Sequence, residues 1–282
     1  VSLTDLFSTP DKILHPNLLS LRQIAYLICR GGWPIAVDLP EEAALSQAFD
    51  YYDAVTKEDI TRIDGIKRSS EKVQRLMRSY ARHQGTQASI ATIKEDLRYN
   101  DSSTLNEDTI ASYLDGLRKI FVIEDMPAWN PNLRSKTAIR TTDTRYFIDP
   151  SIATAALGLG PNDLINDLNT MGFLFESLCV RDMRVYAERL NGNVYHYRDK
   201  KGLECDMVIH LRDGRYGLIE VKIGGETLIN DGAKTLNELE SQIDTTRMKS
   251  PSFKMVLTAT GQHAYRRPED GVYVIPIGCM KP

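Results

Sequence analysis

The sequence predicts a multi-domain α/β protein, helical in its first part and an α/β sandwich in its last third. Three observations carry this. At 282 residues the chain is long for one hydrophobic core and comfortable for two. Apolar residues recur at helical spacing as far as about residue 119. Beyond residue 172, short apolar strands follow and precede helical segments in the order helix, strand, strand, strand, helix, strand, which builds a two-layer sandwich.

Composition narrows the class. Hydrophobic residues make up 42% and charged residues 26%, and no stretch reaches the run of about 18 apolar residues that a membrane helix requires. No membrane partner is expected. A net charge of -3 argues against coating nucleic acid by charge alone, although a local basic groove fits inside a balanced total. Cys29, Cys179, Cys205 and Cys279 form no C-x-x-C pair, nor zinc-finger spacing with the histidines, which reads as reduced thiols in a cytoplasmic protein. Val1-Ser2-Leu3 has no initiator methionine and no secretory pattern, as expected of a fragment of a longer chain. With no G-x-x-x-x-G-K-[ST] loop, it is not expected to hydrolyse nucleotide alone.

Helical patterns cover residues 20–30 and 41–60, separated by Arg30-Gly31-Gly32-Trp33-Pro34, where two glycines and a pre-proline position set a helix-helix corner. From 71 to 84, Val73, Leu76, Met77, Tyr80 and Ala81 share one helical face and Arg75, Arg78 and Arg82 take others. Ser89 caps a helix to about Leu97, and Asn106 caps another over Glu107–Lys119. Phe121-Val122-Ile123 reads as a strand, with Arg145-Tyr146-Phe147-Ile148 as its partner across a Pro, Asn and Ser-rich loop. Three helices and a two-stranded ribbon make a winged-helix pattern. Its third helix is net acidic, since Glu107, Asp108 and Asp115 outnumber Arg118 and Lys119, and this favours packing or protein docking over reading DNA.

Residues 151–171 read as a polar connector, rich in Gly, Asn and Asp. A long helix over about 172–190 follows, then strands at 194–197 and 203–221 (a hairpin), a helix near 233–243, and strands near 253–258 and 272–275.

The chemistry lies in the hairpin. Cleaving a phosphodiester requires charge neutralisation and an activated water, which Mg²⁺ or Mn²⁺ held by carboxylates supplies, with a lysine to orient the water. Glu204 and Asp206 share one strand face, as do Glu220 and Lys222. The two pairs meet only if the turn has an odd number of residues, or if a bulge compensates an even one. A three-residue loop, Arg212 to Gly214 with Gly214 left-handed, sets Asp206 opposite Glu220, whereas a two-residue Asp-Gly turn sends Glu220 to the other face. Each motif alone describes a solvated charge pair better than a site, and it is their occurrence together, in this order, that favours a nuclease-type fold.

Glu176 on the long helix, Glu204-Cys205-Asp206 and Ile219-Glu220-Val221-Lys222 together resemble the PD-(D/E)xK nuclease superfamily, restriction-endonuclease-like in fold. The resemblance implies Asp206 and Glu220 as metal ligands, Lys222 as the water-activating lysine, Glu176 as the first-helix acid and Glu204 as a further ligand or phosphate-side group. Arg198, Lys200, Lys201 and Gln242 become candidate DNA contacts, within a basic rim that adds Arg181, Arg184, Arg189 and Arg212.

The whole chain is also similar to prokaryotic AAA+ ATPases that carry a nuclease-like C-terminal domain. The segments that match are Arg30-Gly31-Gly32-Trp33-Pro34, Asp59-Ile60-Thr61-Arg62-Ile63-Asp64-Gly65, Phe147-Ile148-Asp149-Pro150, Tyr197-Arg198-Asp199 and the two acidic motifs. This implies a lid-like helical segment at 1–65 following an ATPase core that binds ATP, a winged helix at 66–150, the connector at 151–171 and the nuclease-like domain at 172–282. Arg30 would then act near nucleotide in the longer protein. Two functions remain open: a metal-dependent module that binds or cleaves DNA, and a non-catalytic module for protein interaction or regulation of the ATPase.

Overall fold

The computed structural model describes residues 1–8, 13–62, 68–98, 105–131 and 142–282. The boundary expected at residues 65 and 66, with Ile63, Asp64 and Gly65 of the matched segment, lies outside the described residues. The chain forms two compact units: Val1–Ile24, Met126–Asp143 and Cys179–Pro282 make a sheet unit, and Ala25–Asp125 with Thr144–Leu178 a helical unit.

In chain order the elements are α1 (Leu3–Phe7), β1 (His15–Pro16), α2 (Leu21–Arg30), α3 (Glu41–Ala54), α4 (Ile60–Arg62), α5 (Ser70–Arg82), α6 (Ile90–Arg98) and α7 (Glu107–Lys119). There follow α8 (Pro150–Leu157), α9 (Pro161–Asn166), α10 (Leu168–Arg189), β2 (Gly192–Arg198), β3 (Glu204–Leu211), β4 (Tyr216–Lys222), α11 (Glu226–Gln242), β5 (Phe253–Thr258), β6 (His263–Arg266) and β7 (Tyr273–Pro276).

In the helical unit the periodicity holds. α5 buries Val73, Leu76, Met77, Tyr80 and Ala81, and α7 buries Ile110, Tyr113, Leu114 and Leu117. Ser89 Oγ accepts the Thr92 N–H at 3.1 Å and Asn106 Oδ1 accepts the Thr109 N–H at 2.7 Å, each satisfying a donor that a helix start leaves open.

Two segments differ from expectation. Where the ribbon was expected, the described residues form no strand, and Ile123 meets Phe147 in an isolated antiparallel bridge. Phe121 explains this: with φ of 57° it leaves α7 in the left-handed region, which a strand residue cannot occupy. The segment read as a connector is helical, holding most of α8, all of α9 and the start of α10, and α8 is buried from Pro150 to Ala156. The residues taken as loop signals are helix punctuation instead. Gly158 closes α8 at φ 72°, and Pro161 opens α9, where it needs no N–H partner.

Two matched motifs meet here. The Asp149 carboxylate accepts the Gly32 N–H and the Ser151 N–H, each at 2.9 Å, and the Trp33 indole donates to Ser151 Oγ at 2.9 Å. A Cβ on Gly31 (φ 76°) would lie 2.4 Å from Ser151 Oγ, so only glycine fits the corner. Arg30 Nε is bonded to the neighbouring Gly31 carbonyl at 3.0 Å.

The sheet unit holds a seven-stranded mixed sheet in the order β1-β6-β7-β5-β4-β3-β2. β2, β3 and β4 form an antiparallel meander, and β4, β5 and β7 run parallel. α11 covers β4 and β5, and Ala233, Leu236 and Leu239 pack with Val208, Leu218 and Val256. The chain start joins this unit: β1 pairs with β6, the Val1 ammonium donates to the Cys279 carbonyl at 2.7 Å, and Phe7 meets Phe253 edge to face.

Candidate functional site

The register between β3 and β4 brings the acidic motifs together. Met207 faces Ile219 and His210 faces Tyr216. The Leu211 N–H reaches the Arg215 carbonyl at 2.8 Å and the Gly214 N–H reaches the Leu211 carbonyl at 3.0 Å, which closes a three-residue loop, Arg212 to Gly214. Gly214 sits at φ 87°, a conformation that costs an L-residue about 1–2 kcal/mol. The odd loop that the acidic pairs demand is the one present.

The backbone ladder stops at the acidic end of the hairpin. β2 and β3 shift register between Tyr195 and Tyr197, so that Asp206 and Met207 share the space opposite His196. Such a bulge re-aims a side chain. Here Asp206 Oδ2 accepts the Val221 N–H at 2.7 Å, and the Asp206 N–H approaches Glu220 Oε1 at 3.4 Å. The two carboxylates are thus tied to each other's strands. Lys222 completes the group, with Nζ 2.6 Å from Glu220 Oε2 and 3.7 Å from Asp206 Oδ2.

Burial decides the electrostatics. The Glu220 side chain is 5% exposed, against 22% for Asp206 and 24% for Lys222. Burial pushes the Glu220 carboxyl up to about 8, and the Asp206 carboxylate adds repulsion; Lys222 pulls the other way. Two acids share one lysine, so near neutral pH the group favours holding a proton on Glu220 that a bound cation would displace. Burial, then the same two carboxylates, pushes the adjacent Cys205 thiol well above its ordinary value, so it is no nucleophile. His196, across the bulge, is pushed down to about 4 by burial and stays neutral.

Asp206 and Glu220 are a donor set suited to a hard divalent cation, since both offer carboxylate oxygens on neighbouring strands. The set is small. Among the described residues no group of three or more His, Cys, Asp and Glu side chains is placed to hold a metal. Glu204 instead pairs with Arg198 at 3.0 Å across β2 and β3, both about half exposed. Glu176 belongs to the helical unit, where its Oε1 accepts the Tyr146 hydroxyl and lies 3.0 Å from where a Gly85 Cβ would be.

Lys200 and Lys201 are exposed on the turn between β2 and β3, where the Lys201 N–H donates to Asp199. Arg181 is paired with Asp182 at 2.8 Å. Gln242 is exposed at the last position of α11. The residue of α11 packed on the acidic pair is Gly232, and ten residues of helix, roughly 15 Å of rise, separate the two.

Gly232 is a site residue that sequence reasoning passed over. A Cβ there would lie 3.4 Å from Glu220 Cβ, 3.5 Å from Lys222 Cε and 3.2 Å from Val256 Cγ2, so its absence lets α11 seat over the site. A glycine inside a helix costs about 1 kcal/mol relative to alanine, and that was the available signal. Thr258 is the second. It pairs with Lys222 in the parallel ladder, and its hydroxyl is fully buried with no hydrogen-bond partner among the described residues.

Fold and site together define a mixed α/β domain bearing a paired-carboxylate and lysine site, next in sequence to a helical module. The chain belongs to the family described as a domain of unknown function (DUF8612), whose model matches residues 21–163, just over half its length. A second model, a domain of unknown function (DUF4143), matches residues 171–280. Domains of the second kind are known to sit C-terminal to AAA ATPase domains. No curated protein matches the chain. Among the described residues no helix is long and apolar enough to cross a membrane.

Proposed function

We propose that residues 172–282 form a PD-(D/E)xK nuclease-like module that holds Mg²⁺ or Mn²⁺ between Asp206 and Glu220 and acts on DNA. In the longer chain it works in cis with an AAA+ ATPase core. The observation that carries this reading is the meeting of Asp206, Glu220 and Lys222 at a bulge beside an odd-numbered hairpin.

In this reading Asp206, fixed by the Val221 N–H, and Glu220, fixed by Lys222, would hold the cation. When bound, the cation neutralises charge on the scissile phosphate and lowers the pKa of water. Lys222, which lies against both carboxylates, would orient the attacking water. Lys200, Lys201 and Arg198 attract the phosphate backbone, with Arg198 exchanging its exposed pairing with Glu204.

The second reading is a non-catalytic nuclease-fold and winged-helix module that binds protein or regulates the ATPase. The two-carboxylate set favours it, as does α7, whose cations are committed: Arg118 to Asp125 at 2.6 Å and Lys119 to Asp115 at 2.7 Å.

Cleavage of labelled single- and double-stranded DNA with Mg²⁺ or Mn²⁺ separates the two. The nuclease reading expects a metal-dependent rate that falls about 100-fold or more in Asp206→Ala. Equal background cleavage by both proteins rejects catalysis at this site.

A further inference from the structure

Within the helical unit lies a cleft of about 880 Å³ that the reading above does not use. One wall is the outer face of α5, where Arg75, Arg78 and Arg82 fall at i, i+3 and i+7 and so line up along roughly 10 Å of helix. The floor is apolar, made by Leu157, Leu159 and Leu174, and Phe173 stands at its edge 50% exposed.

Carboxylates also border the cleft, and each is committed. Asp163 accepts the Gly160 N–H at 2.8 Å at the start of α9, and Asp167 accepts the Thr170 N–H and hydroxyl at 3.1 and 2.6 Å at the start of α10. Their charge offsets two helix N-termini. Asp96 accepts from Ser79 at 3.0 Å, lies 3.0 Å from His83 Nε2, and has Arg82 at 3.7 Å. Arg75 is paired with Glu71 in an exposed i,i+4 contact, and Arg78 is exposed. Exposed pairs of this kind are weak and exchange partners readily. The cleft therefore offers guanidinium groups along one wall above an apolar floor with a half-exposed aromatic edge, and arginine and aromatic side chains are enriched at protein interfaces.

We infer that this cleft is a docking groove for an acidic amphipathic helix of a partner protein. An opposed helix with carboxylates at i, i+3 or i+4, and i+7 matches the arginine spacing, and its apolar stripe covers Leu157, Leu159 and Phe173. A DNA backbone would satisfy the arginines and leave that floor in contact with water, so protein is the better fit. The inference stands independently of any metal site.

The test is fluorescence anisotropy of the full chain with a labelled helical peptide of about 14 residues, carrying leucine on one stripe and glutamate on its flanks. The expected result is saturable binding, weakened about tenfold or more by both Arg78→Glu and Phe173→Asp. Both positions are exposed, and unchanged thermal melts verify that the variants fold. Three results overturn the inference: no binding at about 200 µM peptide, binding that both variants retain or a scrambled peptide reproduces, or displacement of the peptide by duplex DNA with the same dependence on Arg78.

Discussion

The two units each bury a carboxylate among cations, and the charge balance differs. In the helical unit Asp125, with 5% of its side chain exposed, accepts from Arg118 at 2.6 Å, from Arg145 at 2.7 Å and from the Tyr80 hydroxyl, so one acid serves two guanidinium groups. In the sheet unit two acids, Asp206 and Glu220, share one lysine. The first arrangement is saturated and binds α5, α7 and the segment around Arg145 together. The second is short of positive charge, and burial exposes the deficit as the upward shift of Glu220. A buried acid is therefore weak evidence of function; a buried acid with too few cations is stronger.

The largest expected difference is in stability. Asp125→Ala strands the Arg145 side chain, 10% exposed, without its carboxylate, and is expected to cost about 3–5 kcal/mol in chemical denaturation. Asp206→Ala removes a repulsion and is expected to cost far less. Equal losses would break the comparison. Next in size, Gly232→Leu forces a side chain against Glu220 and Lys222 and is expected to cost about 1–3 kcal/mol while abolishing divalent-cation binding.

A third expectation concerns pH. Glu220 holds its proton more tightly folded, at about 8, than at its ordinary 4.5. Its contribution to stability is therefore full below 4.5 and lost as pH rises through about 8. Denaturation from about pH 5 to about pH 9 should show that loss in the wild type, and Glu220→Gln should flatten it. The smallest effect runs the other way: Thr258→Val removes a buried hydroxyl that has no partner among the described residues and is expected to raise stability by about 1 kcal/mol, read as a higher melting temperature.

Much of this was legible in the sequence for local reasons. Ser89 and Asn106 mark helix starts because each bonds a donor three residues away. Gly214 marks the odd loop because only it takes φ of 87° there cheaply. Asp206, Glu220 and Lys222 each lie on an apolar strand, and the loop parity settles which face they share. What stayed hidden depends on distant partners. β1 and β6 are two and four residues long, too short for an alternation to show, and they are joined across most of the chain. The bulge at Asp206 is an extra residue of β3 set against β2, and no pattern within β3 reveals that register. Glu176 stands among apolar positions of α10, with Cys179, Val180 and Met183 buried at i+3, i+4 and i+7, and helical period cannot tell that Tyr146 is the group it meets. Gly158 and Pro161 read as loop residues because the same residues end and begin helices.

The most direct test of the charge-deficit account is calorimetric titration of Mn²⁺ into the chain and into Glu220→Gln at several pH values. The account predicts binding that tightens as pH rises toward about 8, with proton release, and that Glu220→Gln loses. Absence of binding at every pH, or binding that is independent of pH and equal in Glu220→Gln, would contradict it.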